Sequence, residues 1–334
     1  MLLGACTAKS ITHTKDAPSE REGEWREGLD SVSILTGNVI FLYFNLYYFL
    51  CVMKKSLPSL IVMITIIGAR LQNCQYKIDK IKEGMMETKN RSQQYWDESA
   101  EVYNDIVLDE LNSFKAPAWR AIIEQHIGSG SGLDVLDVGT GPGFFAILLS
   151  GMNHTVTAVD SSPLMLKQAQ FNAFRAGAVA QFIQGDIGVL PFQEASFDVI
   201  ISRNVTWTLP QPFATYDAWH RLLRPGGKIV IFDANWNKHL VDEEQRKQYM
   251  EDCETARRMG YGIELEESLE REGDEITSKL PLTFEHRPDW DVQSLEKIGY
   301  REIVCNWGFD EAIYTESEKV LNRTTPMFSI VAEK

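Results

Sequence analysis

From about residue 90 to the C-terminus, short apolar runs alternate with segments whose apolar residues recur every three or four positions. The runs at 133–138, 155–160, 180–186, 197–204 and 227–235, with "REIVCNWGF" (301–309) and "PMFSIVAEK" (326–334), have the length and β-branched content of buried strands. Helical spacing occupies 91–127, 144–149, 163–177, 212–223 and 291–299, with Gly177 as a stop. This alternation predicts an α/β fold: a doubly wound, Rossmann-like, seven-stranded and mostly parallel sheet with a helical insertion. The insertion is 236–290. It follows the fifth strand, which makes it a candidate lid over the strand ends. Residues 238–291 hold 16 acidic and 8 basic side chains, most of them expected on a solvated helix surface.

The first 85 residues break this rhythm. Residues 31–53 contain no Asp, Glu, Lys or Arg and are followed at once by Lys54 and Lys55, so length and composition permit a transmembrane helix. The charge asymmetry would then leave the C-terminal side in the cytoplasm. Equally open is that 1–85 are an upstream extension of the reading frame, since Met85 and Met86 precede a segment with the pattern of a whole enzyme. The expected division is thus an extension, 1–85, and a catalytic domain, 86–334.

The stretch "VLDVGTGPGFFAILL" (135–149) places Gly139, Gly141 and Gly143 between a strand and a helix. Glycines there permit positive φ and close approach of a ligand to the main chain. The dinucleotide fingerprint Gly-x-Gly-x-x-Gly is not met, because Phe144 follows Gly143, so a pyrophosphate is not the expected occupant. Asp160, 21 residues beyond Gly139 and at the end of the second strand, is placed to accept from ribose hydroxyls. Asp186, ending the third, is placed to accept from an exocyclic amine. An adenine nucleoside fits both.

Composition narrows the partners. The formal net charge is −14, which repels a phosphate backbone and argues against nucleic acid. Five cysteines, at 6, 51, 74, 253 and 305, include no Cys-x-x-Cys pair, so neither a disulfide framework nor a metal site is expected. The oligomeric state is not encoded in any of these patterns.

In order and spacing, "LDVGTGPGFFA", "VTAVDSSPLML", "FIQGDIGVLPF", "FDVIISRNVTWTL" and "LLRPGGKIVIFD" resemble the successive motifs of class I S-adenosylmethionine-dependent methyltransferases. The resemblance spans about 90–334 and is nearest to the small-molecule group that includes quinone-biosynthesis enzymes. It implies S-adenosylmethionine as cofactor and a small-molecule methyl acceptor. It also implies that Asp137 and the Gly139-Thr140-Gly141 backbone hold the methionine end, Asp160 the ribose, and Ser161 with Met165 one adenine face. Asp186 and Ile187 would meet the adenine edge, and Arg203 and Asn204 would floor the reactive sulfur. Tyr95, Trp96 and Tyr103 match an aromatic N-terminal helix that closes over the site.

Trp207, Asp233 and Asn235 are candidates to line the acceptor site. His239 and His286, in the insertion, are candidate bases should a proton have to leave the acceptor. Each of these residues also has a structural reading: strand-end aspartates as caps or turn formers, the aromatics as core, the histidines as surface. Among rival functions, a nicotinamide oxidoreductase is disfavoured by Phe144. A nucleic-acid methyltransferase is disfavoured by charge and by "SRNVTW" after the fourth strand, and arsenite chemistry by too few thiols. A non-catalytic cofactor-binding or membrane scaffold protein is the rival from outside enzymes.

Overall fold

The computed structural model describes residues 86–261 and 267–334, with a few positions between 72 and 80. The apolar run 31–53 lies outside the described residues. Among the described residues no helix is long and apolar enough to cross a membrane. Arg91–Lys334 belong to one compact unit.

Seven strands form one sheet in the order β3-β2-β1-β4-β5-β7-β6. They are β1 Asp134–Val138, β2 Thr155–Asp160, β3 Ala180–Gln184, β4 Phe197–Arg203, β5 Leu223–Asp233, β6 Arg301–Trp307 and β7 Phe328–Glu333. The first five pair in parallel, and β7 runs antiparallel to both β5 and β6. The order reverses beside β1, so the loops after β1 and β4 diverge and leave a crevice at their C-terminal ends.

Alternation along each strand divides the core in two. Val135, Val199, Ile201, Val230 and Phe232 face one layer with Trp119, Phe145 and Leu149. Leu136, Ile200, Ile229 and Ile231 face the other, with Tyr216, Trp219 and Leu295. The helices supplying those layers are α1 Ala100–Leu111, α2 Lys115–Ile127, α3 Phe144–Gly151, α4 Pro163–Ala176 and α5 Pro212–Leu222. The segment expected to be helical over 91–127 forms three helices: residues 86–98 are helical, a turn at Ser99 leads into α1, and a turn at 112–114 separates α2.

The insertion contains α6 Lys238–Val241, α7 Glu243–Arg258, α8 Glu267–Thr277 and a 3₁₀ turn, Pro281–Thr283; α9 Asp289–Ile298 follows. It covers the helix 91–98 rather than standing apart: Arg91 bonds Glu272 at 2.7 and 2.8 Å and Glu275 at 2.9 Å. Short helices α10 Asp310–Ile313 and α11 Glu316–Leu321 precede β7, and α11 opens with a capping box at Thr315. Cys305, on β6, is a free thiol.

Candidate active site

The loop after β1 is fixed by its backbone. The Gly139 and Thr140 amides both donate to the Val159 carbonyl, at 2.8 and 3.0 Å, which turns the chain across the end of β2. Gly139 has φ +70°, and a Cβ there would lie 2.4 Å from a Val205 methyl carbon. Gly143 (φ +93°) starts α3 so close to α4 that a Cβ would meet the Ala169 Cβ at 3.1 Å; its role is packing. Gly141 (φ +53°) faces open space. The loop is therefore a bare main-chain cradle with its glycines divided between packing and access.

A cavity lies against this cradle, walled by Asp137, Gly139, Thr140, Gly141, Asp160, Ser161, Met165, Ile187, Arg203, Asn204, Val205, Trp207 and Thr208 on the sheet side. Trp96, Tyr103, Ile106, Val107 and Glu110 close it from the leading helix and α1. Asp137 is buried and accepts from the Thr140 hydroxyl at 2.6 Å. Desolvation pushes its carboxyl up to about 7, against that hydrogen bond and the nearby Arg203 charge. Asp160 accepts from the Gly141 amide and the Ser162 amide, each at 2.9 Å. Burial raises it above the ordinary carboxylate value in spite of those donors.

Arg203 forms a two-pronged pair with Glu110, at 3.1 and 2.8 Å, and its guanidinium stands 4.3 Å over the Phe144 ring. Burial alone would raise Glu110, but Arg203 and then Lys115 outweigh it and hold the carboxylate below its ordinary value. The pair ties α1 to the end of β4. The Ser162 hydroxyl donates to Asp97 at 2.5 Å, joining the leading helix to the start of α4. Trp96 meets Tyr103 and Trp207 edge to face, with centroids 5.5 and 6.1 Å apart.

A methyltransferase-domain family model matches residues 129–282. Residues 129–282 thus carry a methyltransferase domain. Over 118 residues it is 35% identical to an arsenite methyltransferase of Halobacterium salinarum, covering 34% of this chain and 30% of that protein. Over 106 residues it is 35% identical to a ubiquinone biosynthesis O-methyltransferase of Xylella fastidiosa, covering 31% and 43%. A malonyl-acyl-carrier-protein O-methyltransferase of Erwinia pyrifoliae is 37% identical over 108 residues, covering 32% and 39%. The chain therefore spans less than half the length of these relatives. A solved S-adenosylmethionine-dependent methyltransferase from Aquifex aeolicus aligns with TM-score 0.42 and 19% identity, covering 64% of this chain and 88% of that one.

The cavity suits the S-adenosylmethionine that the sequence motifs imply. Gly141 leaves open space where a ligand backs onto the main chain. Asn204, at φ +59° after β4, has a buried side-chain oxygen with no hydrogen-bond partner among the described residues. An acceptor left unpaired in a cavity wall is expected where a ligand donor completes it.

Several candidates for the methyltransferase site lie elsewhere. Tyr95 is core, packed against Gly273 of α8. Asp186 is absent from the cavity wall; its carboxylate accepts from the Gly188 amide at 2.9 Å and shapes that turn. Asp233 is 0% exposed and bonded to Thr206, the amides of Trp207 and Ala234, Trp236 and Arg287, so it has no access to an acceptor. Asn235 donates to the Arg287 carbonyl at 2.8 Å and borders only a small recess behind Trp207.

Neither histidine reaches the cavity wall. His239 stacks on Tyr249 with centroids 4.2 Å apart, and burial lowers its pKa to about 4 against the Trp236 carbonyl beside it. The His286 side chain is 81% exposed and paired with Asp289 at 3.0 Å. Sequence reasoning missed Glu110. Its signal was an acid in step with Tyr103, Ile106 and Val107, on the helix face that a core would claim.

Proposed function

We propose that this protein transfers the methyl group of S-adenosylmethionine to a small-molecule acceptor through an oxygen, nitrogen or carbon nucleophile. One observation carries the reading: the glycine cradle, Asp160 and the Trp96, Tyr103 and Trp207 rings wall a single cavity. Asp160 and the Gly139–Gly141 backbone would hold the ribose and methionine ends, Asp137 the ammonium, and Ser161, Met165 and Ile187 the base. Bound S-adenosylmethionine supplies a sulfonium leaving group, so the chain has chiefly to align the acceptor and exclude water. The aromatic rings serve both purposes, being large, rigid and apolar toward the cavity.

Glu110 neutralises Arg203, which would otherwise oppose a cationic methyl donor. With both histidines away from the cavity wall, the reading favours alignment over histidine base catalysis. Lys54 and Lys55, after the charge-free run 31–53, support a catalytic unit facing the cytoplasm.

The test is calorimetry on the full chain with S-adenosylmethionine, S-adenosylhomocysteine and NAD. The two sulfur compounds should bind and NAD should not; heat from NAD alone overturns the reading. Metabolite profiling of a deletion strain should then show one product missing and a precursor lighter by one methylene accumulating. An intact profile beside tight cofactor binding would favour the non-catalytic alternative.

A further inference from the structure

Behind the cavity lies a buried ionic cluster that none of the binding roles above uses. Arg287 is 1% exposed and donates to both Asp291 oxygens at 2.9 and 3.0 Å, to Asp233 at 3.0 Å and to the Thr206 hydroxyl at 2.6 Å. Asp233 in turn accepts from the Thr206 hydroxyl at 2.5 Å and from the Trp207 amide at 3.0 Å. Its other oxygen takes the Trp236 indole at 2.9 Å. Asp291 accepts from Tyr216 at 2.6 Å. Sequestering one guanidinium with two carboxylates is costly, and every hydrogen bond in the cluster has to be made for it to persist.

What the cluster holds is the turn Thr206–Thr208. Trp207 and Thr208 wall the cavity, whereas Thr206, Asp233, Arg287 and Asp291 do not touch it. The preceding residue of the same stretch, Val205, is the neighbour that a Cβ on Gly139 would strike. Displacing the turn thus shifts both the aromatic wall and the glycine cradle. Arg287 also ends the insertion, and its carbonyl takes the Asn235 side chain, so the insertion is riveted to the end of β5 at the same point.

We propose that Arg287 is a positioning residue for the methyltransferase cavity, acting through Thr206 and Asp233 on the Val205–Thr208 turn. The inference rests on the functional reading above, in that S-adenosylhomocysteine is its probe. A preorganised wall lowers the ordering cost of binding, so loosening the turn weakens the ligand even in fully folded protein.

The variants are Thr206→Val, which removes the hydroxyl without changing charge or volume, Thr206→Ser, which restores it, and Arg287→Lys. Each is measured in the full chain for S-adenosylhomocysteine affinity and for Tm. Thr206→Val should weaken binding about 5- to 10-fold and Thr206→Ser should recover it. Arg287→Lys should also weaken binding, because one ammonium cannot reach three partners fixed for a planar fork. A merely structural cluster would lower Tm and leave the affinity of the folded protein unchanged, and that result overturns the proposal. Absence of binding by the parent protein would instead defeat the functional reading itself.

Discussion

Asp137 shows how burial sets a site's pH response. Desolvation holds its carboxyl near 7 in the folded protein, far above its value in an unfolded chain. The folded state thus keeps a proton that the unfolded state releases. The associated stability is complete below about pH 4 and is lost as pH rises through about 7, roughly 4 kcal/mol in all. Urea titrations should show the parent losing stability over that interval relative to Asp137→Asn; parallel pH profiles would contradict the assignment. An ammonium held at this carboxylate gains from its ionisation, so S-adenosylhomocysteine affinity should rise between about pH 6 and 8 in the parent and stay flat in the variant.

At the scale of elements, α1 and β4 are joined by a charge pair facing the cavity. Glu110→Gln would leave the Arg203 guanidinium uncompensated over Phe144. S-adenosylmethionine carries a sulfonium charge that S-adenosylhomocysteine lacks, so the first should lose roughly tenfold more affinity than the second. Equal losses for the two would show that Glu110 acts only by anchoring α1. The elements also explain which sequence readings were legible. The strands expected over 155–160 and 197–204 followed from runs rich in β-branched residues, and Val156, Val159, Val199, Ile200 and Ile201 are buried in β2 and β4. The helical stretch expected over 91–127 divides at Ser99 and at 112–114, where side chains such as Ser99 and Asn112 hydrogen-bond back to the main chain.

The whole molecule decides where the insertion's side chains end up. Stacking on Tyr249 with a pKa near 4 leaves His239 neutral and packed, and His286 faces solvent. Once an acceptor is in hand, changing both to Gln should leave kcat within about twofold of the parent across pH 6 to 9, where a histidine base would show itself. A loss of tenfold or more would place one of them in the reaction. The insertion contributes instead through Arg287 and through contacts over the helix 91–98, both remote in sequence from the glycine loop.

The sequence by itself determined the sheet, the glycine cradle, Asp160 and the cofactor class. These depend on local patterns: strand period, positive φ at glycine, and an acid at a strand end. It did not distinguish Asp137 and Asp160, which wall the cavity, from Asp233, which is sealed behind it, because all three lie at, or one residue before, the end of a strand. Nor did it show the Glu110–Arg203 pair, 93 residues apart, or the convergence of Thr206, Asp233, Arg287 and Asp291. Whether a carboxylate meets ligand, guanidinium or amide depends on which elements pack against it, and that is settled only when the helices close on the sheet.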